Sequence, residues 1–416
     1  MERLTASISR YLMYIVVAYV LVDYTLRNLN IPIMVAKLWD GTLLILIVGA
    51  WIIYAAVKEI KPMGSRLLIP MLLFYATVLL NFFLRSSEPG IAMMELRSLI
   101  LHTFWFFVAY NVLSSKVQFK NILDIFMLVG FIVAMYGIYQ YLTGAEIPST
   151  WVDRAETDIS TRAFSFIGSP NVLGSFLILQ ISVALASFMA SYDWLKKRLY
   201  LFAGLICTLC LVFTLSRGAW IVFFFVLVLL GFWLDKRLIL GLIIISLITP
   251  VAVPAVYSRI AYMASPEYVQ SAAEGGRIAR WSQAMDYWKG QPLTGLGMGR
   301  FGGGVAIASF PGSGYSVDNF YLKLGTEMGI IGLAAFIFLI ISALGLARSA
   351  LQKTKDKYLK TVGTGLMAGL IGVLAHNMSE NMFEFPLMAV YFWFFLGLII
   401  ALPHLNGSQQ EVEPND

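Results

Sequence analysis

Long apolar runs alternate with short polar breaks along nearly the whole chain. A helix rises about 1.5 Å per residue against a hydrocarbon layer about 30 Å thick, so runs of about 20 residues predict membrane spans. Twelve are expected, at residues 8–26, 38–57, 67–84, 96–113, 119–142, 170–192, 199–215, 219–234, 238–254, 319–347, 361–379 and 386–403. The expected fold class is all-α, a polytopic membrane protein forming one integral domain over residues 1–416. The first run follows Arg3 and Arg10 as a signal peptide would, but it continues to Asp23 without an Ala-x-Ala pattern. It therefore reads as a retained span. The tail 407–416 is polar and acidic, and is expected to be disordered.

Alternation sorts the breaks into two sets. Segments 1–10, 58–66, 114–120, 193–198, 235–237 and 348–360 hold 17 of the 30 Lys and Arg residues. Basic residues collect on the cytoplasmic side, so both termini are expected there. The other breaks then face outward, and they hold most of the unusual chemistry. Residues 143–169 carry Trp151, Arg154 and Arg162 beside Asp153, Glu156 and Asp158. Ser216-Arg217-Gly218 is nearly all of a tight hairpin, and residues 255–317 form a long extracytoplasmic loop. No repeat of twenty to fifty residues is visible, against the internal symmetry of many transporters.

Composition agrees with the pattern. The 416 residues are 59% hydrophobic and 13% charged, where a soluble domain carries about 25% charge. The net charge of +6 is spread over short loops rather than gathered in a patch. Membrane lipids are expected as neighbours and nucleic acid is not. Cys207 and Cys210 lie in an apolar run with no second pair or histidine cluster, so they read as packing residues. No trio of His, Cys or carboxylates stands at ligand spacing, so neither a metal nor a cofactor is expected.

Within the long loop, residues 266–290 read as one amphipathic helix lying along the membrane interface. Ile278, Trp281, Met285 and Trp288 make its apolar stripe, and Arg277 and Arg280 project near its start. Those arginines could equally meet lipid headgroups. The glycine run 295–304 lacks the strand and Lys-Ser/Thr of a phosphate loop, so it reads as a turn that brings backbone close to its surroundings. Asp318 opens the tenth span at its watery end. Below it Asn319, Lys323, Thr326 and Glu327 make one polar stripe, which faces either a cavity or a partner helix. A Lys323–Glu327 pair locking helices together is the plainer alternative. Arg217 sits on the outer side against the charge rule and calls for an anionic partner. A diphosphate would satisfy it, as would Glu380 or Glu384. His376 ends the eleventh span, after Gly365-x-x-x-Gly369, and either lines the same cavity or bonds a neighbouring helix.

Several segments together resemble the O-antigen ligase and polymerase superfamily of membrane glycosyltransferases. They are Arg162-Ala163-Phe164 with Ser169-Pro170-Asn171-Val172-Leu173-Gly174, and Thr214-Leu215-Ser216-Arg217-Gly218-Ala219-Trp220. Next come Gly276-Arg277-x-x-x-Trp281 with Pro292-Leu293-x-Gly295-x-Gly297, and Asp318-Asn319-x-Tyr321-Leu322-x-x-x-x-Glu327-x-Gly329-Ile330-Ile331-Gly332. The resemblance implies a GT-C-like helical fold in a bacterial cytoplasmic membrane, with the active site on the outer face. It implies transfer of a surface glycan from an undecaprenyl-diphosphate-linked donor to a glycan, lipid or protein acceptor. Ligases of this superfamily carry a histidine where this chain has Asp318.

Arg217 and Arg277 are then expected to hold the diphosphate, with Arg162 or Arg280, while Asp318 takes the proton of the acceptor hydroxyl. Asn171, Asn319, Tyr321, Glu327 and His376 are expected around the substrates. A transporter or flippase of an anionic lipid-linked sugar is the competing expectation.

Overall fold

The computed structural model describes residues 11–29, 33–57, 59, 64–148, 151, 159–274, 276–310 and 316–407. The acids Asp153, Glu156 and Asp158, with Arg154, and the tail from 408 onward lie outside them. The described chain is helical, and its one extended pairing is an isolated bridge between Gly302 and Ser316.

In chain order the first helices are α1 (Tyr19–Asn28), α2 (Ile33–Val57), α3 (Leu68–Arg85), α4 (Pro89–Leu101), α5 (Phe104–Val112) and α6 (Lys116–Leu142). The middle of the chain gives α7 (Pro170–Ala190), α8 (Trp194–Phe213), α9 (Arg217–Trp233) and α10 (Arg237–Ala252). The loop region gives α11 (Pro254–Met263), α12 (Pro266–Ala273), α13 (Arg277–Gly290) and α14 (Gly304–Ser309). The last helices are α15 (Phe320–Lys353), α16 (Lys357–His376) and α17 (Pro386–Ala401).

Eight helices among the described residues are long and apolar enough to cross a membrane, and α10 with α11 makes a ninth if that pair, bent by 103°, is one span. Between the polar ends, large apolar side chains face outward, Phe83 at 78% and Val251 at 86% exposure. Water would not tolerate such a surface, and acyl chains would cover it. The protein is thus an all-α, multi-pass membrane protein.

Burial sorts the spans. The apolar windows of α7, α16 and α17 are 83%, 72% and 89% buried, against 28% for α2 and α3. The first three are the axis of the bundle. Small residues let α7 and α16 touch: a Cβ on Gly365 would lie 2.8 Å from the Ser182 carbonyl oxygen, and one on Gly369 3.2 Å from Leu179 Cα. Close backbone approach takes the place of the hydrophobic drive that is missing between helices in lipid. Cys207 and Cys210 are buried free thiols inside α8, packed against α6.

The expected fourth span starts earlier, at Pro89, and is broken in two around His102. The single helix expected over 266–290 is also two helices, because Gly276 is extended (φ −76°, ψ −158°) and starts a new one. A Cβ at Gly276 would come within 2.6 Å of Ala272 Cα, so the break needs glycine.

The glycine run lies on α15, and a kink there explains how. Gly329 has φ +65° in the middle of the helix, which interrupts the ladder of i to i−4 bonds. The Ile330 N–H donates to Pro292 O (2.8 Å) instead of Thr326 O, which receives Leu296 N–H (2.9 Å). The Ile331 N–H reaches Leu293 O (3.4 Å) instead of Glu327 O, which receives Gly297 N–H (2.9 Å). Buried backbone groups must find partners, and the loop supplies all four. Gly295, at φ +68°, would put a Cβ 2.6 Å from Glu327 O, so only glycine passes there.

Candidate active site

The starts of α7, α9 and α15 and the ends of α8 and α16 meet at one end of the bundle. A cavity of about 740 Å³ opens there. Among the described residues it is lined by five arginines, Arg162, Arg217, Arg259, Arg277 and Arg280, and by two carboxylates, Asp318 and Glu380.

The wall nearest α7 is built on the turn between α8 and α9. That turn holds Leu215 at φ +50°, a conformation that costs a non-glycine residue about 1–3 kcal/mol. It leaves carbonyls at a helix end without intrahelical partners. Two arginines satisfy them: Arg162 Nε donates to Thr214 O (2.9 Å), and Arg259 Nε to Leu215 O (3.2 Å). Arg162 also donates to Trp151 O (2.7 Å) and Asn171 Oδ1 (3.4 Å). Ser216 caps α9 and donates its hydroxyl to Asn171 Oδ1 at 2.8 Å. Asn171, held from that side, donates its amide to the Glu380 carboxylate. Arg217 is the first residue of α9, and its guanidinium lies over the rings of Tyr268 (4.8 Å) and Tyr262 (5.7 Å) on α12 and α11. Aromatic faces attract and steady a cation through the ring quadrupole.

The opposite wall is the first turn of α13. Arg280 donates to Ser316 O (3.1 Å) and pairs with Asp318 Oδ2 at 2.9 Å. Arg277 Nε is 3.6 Å from the same oxygen, and its other end is 4.0 Å from Glu380 Oε2. Ser316 donates its hydroxyl to Asp318 Oδ1 at 2.6 Å. Asp318 itself has φ +50°, which aspartate tolerates better than most side chains. Trp281 donates to Val317 O at 2.8 Å and ties the segment before Asp318 to α13. Burial pushes the Glu380 carboxyl up to about 7, aided by the Asp318 charge and opposed by Arg277 and by hydrogen bonds from Asn171 and the Asn381 N–H.

Of the residues expected at the site, Asp318, Arg277, Arg217, Arg162, Arg280 and Asn171 line this one cavity. The other four expected residues are not in its lining. Asn319 caps α15 by accepting from Leu322 N–H (3.0 Å), and Tyr321 donates its hydroxyl to Leu374 O (2.8 Å). His376 is buried under Gly218, where an added Cβ would lie 3.2 Å from its Nε2. Glu327 faces Lys323 at 3.6 Å and accepts Phe301 N–H at 2.9 Å. Lys323 in turn reaches Glu95 (2.6 Å) and Glu384 (2.5 Å), so Lys323 and Glu327 of the polar stripe on α15 join a buried cluster of one lysine and three carboxylates, while Thr326 donates to Ala284 O (3.2 Å).

Arg259 and Tyr268 are additions that the sequence did not single out. Arg259 and Tyr262 share a face of α11 at i, i+3, a signal hidden by placing both in a loop.

The arrangement defines a membrane protein with a concentrated cationic cavity at one end of its bundle, suited to holding a polyanion. Residues 202–337, which carry Arg217, Arg259, Arg277, Arg280 and Asp318, match the family model described as O-antigen ligase. That stretch, less than half of the chain, is similar to the O-antigen ligase family, and the likeness supports a polysaccharide ligase- or polymerase-like, glycosyltransferase-like role. No curated protein matches the chain.

Proposed function

We propose that the chain polymerises or transfers a surface polysaccharide from an undecaprenyl-diphosphate-linked donor to an acceptor hydroxyl at the outer face of the cytoplasmic membrane. The observation that carries this is the cavity, whose described lining brings five arginines together with Asp318 and Glu380. The family match supports it, because a lipid-linked glycan donor and an acceptor are what such an enzyme needs. The charge bias of the loops supports an outward cavity with both termini inside.

Arg217 and Arg277 are the groups for the diphosphate. Arg217 carries its charge on aromatic faces. Among the described residues Arg277 meets its carboxylates at 3.6 and 4.0 Å, contacts that a phosphate could replace with bidentate bonds. Arg280 is fixed more tightly, at 2.9 Å to Asp318. Arg162 is buried and committed to carbonyls, so it builds the wall that Asn171 completes. As the glycosidic bond breaks, charge grows on the diphosphate, and fixed guanidiniums stabilise it. They supply positive charge of the kind a divalent cation could otherwise supply, so turnover in a chelator is expected.

Purified protein in vesicles, given a defined lipid-diphosphate glycan, should lengthen or transfer that glycan. Movement of the glycan across the bilayer without any new glycosidic bond would make the protein a transporter instead.

A further inference from the structure

The proposed reaction needs one proton acceptor, and among the described residues the cavity offers two carboxylates in unlike settings. Asp318 is engaged by charges: Arg280 at 2.9 Å and Arg277 at 3.6 Å on one oxygen, and the Ser316 hydroxyl at 2.6 Å on the other. Those contacts also fix the first turn of α13, which hangs from Asp318 and from the bond of Trp281 to Val317 O. Glu380 is engaged by neutral donors, the Asn171 amide and the Asn381 N–H, with one guanidinium at 4.0 Å. It lies on the opposite wall, between the end of α16 and the start of α17. Its side chain is 12% exposed, and it lines the cavity.

We propose that Glu380 takes the proton of the acceptor hydroxyl, and that Asp318 is a positioning residue that holds Arg277 and Arg280 toward the donor. This rests on the glycosyltransferase reading above and names its base. In the step, the acceptor O–H proton passes to the Glu380 carboxylate, and the oxygen lone pair forms the new bond to the anomeric carbon. The bond from that carbon to the diphosphate breaks, and its electron pair leaves on the diphosphate oxygen beside Arg217 and Arg277. Glu380 then returns its proton to water. Its carboxyl, pushed up to about 7 chiefly by burial, is near the value at which a base is both unprotonated and strong at neutral pH. Around it stand Asn171 on α7, Arg277 on α13 and Asp318 ahead of α15. Arg162, Arg217, Arg259 and Arg280 line the same cavity, and His376 ends α16 just before it.

The test compares Glu380→Gln, Glu380→Asp and Asp318→Asn in vesicles, reading glycan transfer and, separately, the Kd for undecaprenyl diphosphate. Glu380→Gln should lower kcat by about a hundredfold or more with donor Kd unchanged. Glu380→Asp should restore part of kcat and keep the acidic limb of the pH profile. Asp318→Asn should weaken donor binding while leaving that limb in place. Turnover by Glu380→Gln within about threefold of the wild type, far short of what losing a general base removes, overturns the assignment. So does an Asp318→Asn protein that binds donor normally and has lost both kcat and the limb. A wild type that binds the donor and makes no glycosidic bond overturns the transferase reading, and this assignment falls with it.

Discussion

Lys323→Met is the substitution whose effect can be worked furthest. The Lys323 side chain is 2% exposed, and its ammonium serves Glu95, Glu384 and Glu327 at 2.6, 2.5 and 3.6 Å. Methionine fills nearly the same space, so packing loss is small and the effect is electrostatic. Three carboxylates then share a buried site with no cation. Removing one partner of a buried ion pair costs about 3–5 kcal/mol. The same carboxylates also hold backbone of the glycine loop: Glu327 accepts Phe301 N–H at 2.9 Å, and Glu384 accepts Gly304 N–H at 2.7 Å. The loop should therefore loosen with the cluster. Equilibrium unfolding in mixed detergent micelles measures the change, and proteolysis across 295–304 reports the loop. Adding Glu95→Gln to Lys323→Met should recover about 1 kcal/mol or more, because neighbours in one network are not additive. A Lys323→Met protein within about 1 kcal/mol of the wild type, or one made worse by Glu95→Gln, would refute the reasoning.

Other outcomes follow from the same structure. Arg217→Ala should weaken binding of undecaprenyl diphosphate by about tenfold or more, since a charge-assisted bond is worth about 1.5–3 kcal/mol; an unchanged Kd in a titration excludes the phosphate role. Gly329→Ala should destabilise the protein by at least about 1–2 kcal/mol, the strain of a left-handed non-glycine residue, with more from the collision of its Cβ with the Leu293 carbonyl. Unfolding curves check this, and a neutral result would deny the kink. Glu380 has a folded pKa raised from 4.5 to about 7, so its contribution to stability is complete below about 4.5 and lost as pH rises toward 7. Glu380→Gln should remove about 3 kcal/mol of that decline, read as a flatter plot of stability against pH.

Of the twelve expected spans, eight or nine meet the length and apolarity of a crossing among the described residues. Of these, α7, α15, α16 and α17 were legible because a membrane asks one thing of a segment, an apolar run of sufficient length. Arg277, Arg280 and Asp318 stood out because each breaks that rule in a polar stretch between spans, and the structure brings all three within contact distance. Arg259 was not, since the apolar run was read to stop at residue 254, whereas the chain turns 103° there and continues as α11. The partners of Lys323 show the same limit. Glu327 is one turn away on the same helix and visible in the pattern, but Glu95 and Glu384 come from distant segments that only packing brings close. Glu380 was weighed in the sequence only as a partner for Arg217, because what distinguishes it is burial, and burial at a loop is a property of the fold.

The exchange of hydrogen bonds at Gly329 divides α15 into two mechanical parts. Residues 320–328 share their backbone bonds with 292–297 and belong with the loop, while the shaft below belongs with the bilayer. The distance from Asp318 to α13 is then set above a hinge, out of reach of whatever tilts the shaft. Turnover is expected to vary little across vesicles of short and long acyl chains. Stiffening position 329 should couple the cavity to membrane thickness.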